Sequence, residues 1–140
     1  MTRINVIFVS ALRDENGLDL PRALQCEAGH TFTDALHCMT LFAAGSLMQV
    51  IDGEAPQARA ELRRIFQSSH YLNTIVLNEE EVTEPSLCGN SLGALHLAPG
   101  VIEMLPEHVV LFSLNEGAVT QRVRSGIARN LLKQFAADYS

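Results

Sequence analysis

The side chains best able to do chemistry in this sequence are five histidines, three cysteines and sixteen carboxylates. Their spacing assembles none of them into a reactive centre. His30, His37, His96 and His108 lack the short repeats that metal ligands require. Cys26, Cys38 and Cys88 are odd in number and form no Cys-x-x-Cys pair, so they are expected as small core or near-core residues in a reducing, cytoplasmic compartment. Ser10 has no Gly-x-Ser-x-Gly setting for a nucleophile, and no glycine-rich loop is present to cradle a phosphate. Glu79-Glu80-Glu81 is expected to be a solvated loop rather than a metal site. Asp14-Glu15 and Asp52 with Glu54 read as turn carboxylates. No enzyme active site is expected. The net charge of −6, with Lys and Arg scattered, leaves no nucleic-acid footprint. No apolar run approaches the roughly 18 residues of a membrane span. Met1-Thr2-Arg3-Ile4-Asn5 runs straight into a strand-like segment, so no signal peptide is expected.

The elements that would position such groups are legible from periodicity. The chain has 140 residues, 47% of them apolar, which suits one domain with a sizeable core. Ile4 to Ser10 is β-branched and apolar, and predicts a buried strand. Asp19 is a plausible N-cap and Pro21 suits a first helical turn. Leu20, Ala23, Leu24 and Ala28 then recur at helical spacing up to Gly29. His37 to Ala44 and Leu47 to Ile51 flank Gly45-Ser46, a hairpin signal. Pro56 opens a second helix whose apolar stripe is Ala58, Leu62, Ile65 and Phe66. Thr74 to Leu77 and Gly93 to Leu97 are the fourth and fifth strand candidates.

The order is βαββαββ, which predicts an α+β, ferredoxin-like sheet with two helices on one face. Further helices are expected at 101–105 and 107–114. From Ala118 a last helix carries Val119, Val123, Ile127, Leu131 and Phe135. An open sheet with helices on one face leaves the other uncovered. The C-terminal stripe is expected to cover it, with part of the stripe reaching a second copy to form a homo-oligomer. Residues 1–97 would form the core and 98–140 the extension.

Over roughly the first 97 residues the pattern resembles the BLUF family of flavin-based blue-light sensors. The family's first strand has a Tyr followed two residues later by Ser; here the run is Phe8-Val9-Ser10-Ala11. Its hairpin carries a Gln before a Leu-Glu-Gly turn; here Gln49 precedes Val50-Ile51-Asp52-Gly53. After the second helix it has an Asp-x-Arg-His run; here Gln67-Ser68-Ser69-His70 keeps only the His. The resemblance implies FAD as cofactor, with Phe8, Ser10, Thr31, Gln49, Ser69 and His70 at the cofactor-binding positions. Thr31 stands where the family has an Asn that fixes the flavin edge. Asn90 and Leu92 align with its fifth-strand Trp and Met.

The departures shape the functional expectation. The family's light reaction needs an ionisable Tyr, and Phe8 has no hydroxyl to donate. Gln67 and Ser69 replace a charged pair. The resemblance therefore implies a regulatory or signalling module that has lost the photocycle and weakened or lost its FAD. It would act through a homo-oligomer or a downstream regulatory protein. The alternative is a genuine FAD-binding photoreceptor domain. A small-molecule binder reusing the vacated pocket, and an acylphosphatase-like enzyme lacking its Arg-Asn site, are further readings.

Overall fold

Strand β1, Arg3–Ala11, is buried on both faces along most of its length, as its unbroken β-branched run requires. The computed structural model describes residues 2–13, 20–21, 23, 36–87, 89–105 and 109–139. Leu20, Pro21 and Ala23 are helical and buried, in line with the first expected helix. Asp14, Glu15, Asp19, Leu24, Cys26, Ala28, Gly29, His30, Thr31, Cys88 and His108 lie outside the described residues.

Strands β2, Leu36–Ala43, and β3, Ser46–Glu54, form the expected hairpin. Its two turn residues, Ala44 and Gly45, both have positive φ, 48° and 84°, matching the right-handed twist of the flanking strands. Helix α1, Ala55–Gln67, starts with a proline in its first turn and buries Ala58, Glu61 and Ile65. Then follow β4, Leu72–Val82, β5, Ser91–Ala94, and the short helix α2, Pro99–Glu103. Strand β6 is Val110–Ser113, and helices α3, Glu116–Arg122, and α4, Ile127–Tyr139, end the chain. Asn115 caps α3 by accepting from the Ala118 amide at 2.8 Å.

The six strands are ordered β4-β1-β3-β2-β5-β6. The first four alternate antiparallel, and β5 and β6 run parallel to β2. Val9 and Ile75 are direct partners in this sheet, so the first and fourth predicted strands are neighbours. One face buries Ile4, Val6 and Phe8 with Leu20, Ala23, Ala58 and Ile65. The other buries Ile7, Met39, Leu41 and Val50 under Val119, Leu132 and Phe135. The C-terminal layer thus covers the outer face of its own sheet, and Ile127 is the member of the stripe left largely exposed, at 47%.

Four expectations are corrected. Glu79-Glu80-Glu81 is not a loop: these residues pair with Val6, Asn5 and Ile4 inside β4. On an edge strand their carboxylates reach water while the backbone stays paired. The segment expected as a helix at 107–114 instead supplies β6, which pairs in parallel with β5. The predicted single C-terminal helix is two: Gly126, with φ of +155°, and Val123, bridged to Leu87, interrupt it. Four-residue spacing cannot reveal the break, because Val123 is buried from an extended backbone as well as it would be from a helix. The fifth strand begins at Ser91, two residues before the predicted Gly93.

Gly93 is required by close packing rather than by its dihedrals. A Cβ there would lie 2.6 Å from the Phe112 ring and 2.8 Å from a Leu41 methyl. The Arg122 guanidinium lies over the Phe112 ring, 4.4 Å from its centroid, which adds to the packing around that ring. Gly93→Ala is expected to lower stability by about 1–3 kcal/mol. A urea denaturation midpoint unchanged from the wild type would contradict this.

Candidate functional site

The helix-side face of the sheet carries a row of side chains set by strand register. Val76, Phe8, Gln49, Thr40 and Leu92 are successive cross-strand partners on β4, β1, β3, β2 and β5. Phe8, Gln49 and Leu92 are fully buried and Thr40 nearly so. The Gln49 Nε2 donates to Thr40 Oγ1 at 2.9 Å. Ser10 follows Phe8 on the same face; it is buried and its Oγ has no hydrogen-bond partner among the described residues. The structure therefore brings together Phe8, Gln49 and Ser10 from among the expected site residues.

It does not bring in Ser69 or His70. Thr31 lies outside the described residues. Gln67 and Ser69 are exposed and His70 half-buried, all at the end of α1 or on the turn that follows it. The His70 amide donates to Ser68 Oγ at 3.2 Å, a local turn bond. Asn90 caps a strand edge instead of facing the row: its Oδ1 accepts from the Cys38 amide at 2.8 Å.

Sequence reasoning missed three groups here. Thr40 was legible, because a two-residue turn at 44–45 places residue 40 opposite residue 49. Glu61 faces the core from α1, 4% exposed and ion-paired with Arg64; its helical spacing with Ala58 and Ile65 was the available signal. Tyr71 is a buried phenol in the same core. It directly precedes Leu72, the partner of Ala11, so it sits about four strand residues, on the order of 13 Å, from Phe8.

The reading of Asp52 as a turn carboxylate is corrected. It lies within β3 on the outer face and is fully buried. Its Oδ1 accepts from Arg3 Nε at 2.9 Å, and its Oδ2 accepts from the amides of Ser86 and Leu87. That loop in turn engages the α3–α4 linker, through Arg124 N to Ser86 O at 2.9 Å and the Leu87–Val123 bridge. Asp52 is thus a structural anchor between sheet and C-terminal layer.

Chemically, the row is a wall of apolar side chains with one amide–hydroxyl pair and the Ser10 hydroxyl, which has no partner among the described residues. It can hold and orient a polar edge of a ligand. It contains no group that ionises near neutral pH, and a flavin photoreaction that requires a phenol at position 8 does not fit these residues. Among the described residues no His, Cys, Asp or Glu cluster could hold a metal ion, and no helix is long and apolar enough to cross a membrane.

The fold defined by this sheet and its two layers is that of BLUF domains. The structure labelled BlrP1 BLUF matches with a TM-score of 0.69 over 99% of this chain and 92% of that one, at 13% identity. The Klebsiella pneumoniae BlrP1 manganese/cy-diGMP complex matches with the same score over 97% of this chain, at 14% identity. A bacterial light-regulated adenylyl cyclase matches at 0.55 over 96%, also at 14% identity. This chain spans about a third of each of those two longer chains, 33% and 32%, so the likeness concerns their sensor-sized part. No protein-family model matches the sequence, and no curated protein matches it.

Proposed function

We propose that this chain is a BLUF-like signalling module, without catalysis of its own, in which blue-light photochemistry is defective and flavin is bound weakly or not at all. Residues 1–97 would be the sensor core and 98–140 its covering extension. The observation that carries the reading is the pairing of Phe8 with Gln49. Where the family's photochemistry needs a phenol beside the glutamine, a fully buried phenyl ring stands, and the amide is engaged by Thr40 instead. Losing several ligand hydrogen bonds at about 0.5–1.5 kcal/mol each lowers affinity by orders of magnitude. The module would act through contacts with a second copy or a regulatory protein. A cytoplasmic location is part of this reading, and the buried Cys38 packs as a small core residue.

A second reading, a genuine flavin-binding domain, is favoured by Ser10. Its buried hydroxyl has no partner among the described residues, and an unpartnered buried hydroxyl costs about 1–3 kcal/mol unless a ligand satisfies it. The absorption spectrum of the purified protein, dark and after blue illumination, separates the two. The expected result is substoichiometric flavin and no light-induced red shift. Stoichiometric flavin in the preparation would overturn the binding half of the proposal. Phe8→Tyr alone is expected not to create a red shift; if it does, the remaining substitutions are tolerated.

A further inference from the structure

Four large apolar side chains remain exposed around one edge of the sheet: Ile75 (58%), Leu77 (43%) and Val76 (38%) on β4, and Phe66 (51%) on α1. β4 is the terminal strand, so its outer backbone groups face no strand among the described residues. Arg59 of α1 reaches Glu79 of β4 at 3.2 Å. Phe66 lies on the same side of the helix as Arg59, about two turns on. Val76 faces the helix side and Ile75 the outer side of the sheet, so the strand shows an apolar residue on each side of an open row of backbone donors and acceptors, the kind of edge that pairs unless it is protected.

We propose that this edge pairs with the same edge of a second copy, β4 against β4 about a two-fold axis near Ile75. The inference does not rest on the flavin reading. The charge pattern of the strand selects the occupant and the direction. Leu72–Val82 reads LNTIVLNEEEV, with every charge in its second half. Antiparallel pairing about Ile75 lays the uncharged halves over each other, with Ile75 against the partner's Ile75, Val76 against the partner's Thr74 and Leu77 against the partner's Asn73. Glu79, Glu80 and Glu81 then run beside the turn that bears the partner's His70, and like charges stay apart. Parallel pairing would stack the acidic runs, which is repulsive. Register breaks with β1 on either side of Ile75 confine regular pairing to a short segment. The opposite sheet edge, β6, has only four residues, so the product is a closed two-fold dimer and not a growing sheet.

The test is sedimentation velocity on the full chain from about 1 μM to about 1 mM, with hydrogen exchange of the β4 amides at both limits. The expected result is a concentration-dependent dimer whose 72–77 amides gain protection as it forms. Ile75→Glu and Val76→Lys, both at exposed positions, should each weaken dimerisation at least about tenfold. Leu111→Glu, on the β6 edge, should leave it unchanged. Unfolding midpoints confirm that each variant is folded. A wild-type chain that stays monomeric throughout overturns the proposal and leaves the edge to a foreign, basic strand. A dimer that survives Ile75→Glu but is lost in Leu111→Glu overturns it equally.

Discussion

Asp52→Ala is expected to lower the stability of the fold by about 3–5 kcal/mol, the range for breaking a buried ion pair by removing one partner. Arg3, whose side chain is only 14% exposed, loses the carboxylate it donates to. The amides of Ser86 and Leu87 lose their acceptor in the same step. Because the 85–87 loop also bridges to Val123 and Arg124, the damage extends to the seating of the C-terminal layer. Domains of this size have about 5–15 kcal/mol in hand, so the variant keeps its fold with a much-reduced margin. Asp52→Asn retains one acceptor oxygen and should lose less. Urea denaturation of both variants gives the magnitude, and amide exchange at Ser86 and Leu87 gives the cause. Equal midpoints for Asp52→Ala and wild type would show that the anchor carries no stability.

Truncation after Leu114 should have a larger effect still. It removes α3 and α4 and uncovers the face formed by Ile7, Met39, Leu41, Met48 and Val50. From the removed part, Val119, Leu132 and Ala136 are at 0% exposure and Phe135 at 6%. Each large apolar side chain moved from water to such a site is worth roughly 1.5–3 kcal/mol. The truncated chain is therefore expected to be poorly soluble, to bind a hydrophobic dye and to aggregate on concentration. A soluble product with unchanged thermal stability would show that the layer contributes nothing to the sheet. This outcome is separate from the β4 edge, which the truncation leaves in place.

What this sequence determines by itself is local. Hydrophobic periodicity marks β1, the β2–β3 hairpin and α1, and the hairpin turn sets the register that puts Thr40 opposite Gln49. The loss of a hydroxyl at residue 8 is also written there, since it is a matter of residue type. The outer cover follows from the demand that an apolar face be buried, and the predicted C-terminal layer meets that demand. Other features depend on neighbours distant in the chain. Glu79 to Glu81 count as strand only because β1 offers them backbone partners, a bond that does not depend on side-chain type. Val110 to Ser113 become β6 because β5 presents a free edge some twenty residues earlier. Asp52 reads as a turn carboxylate until Arg3 and the Ser86 and Leu87 amides converge on it from positions 34 to 49 residues away. Periodicity reports which side of an element is apolar; it carries no record of which distant backbone or charge will arrive to satisfy a polar group, and that is decided only when the layers pack.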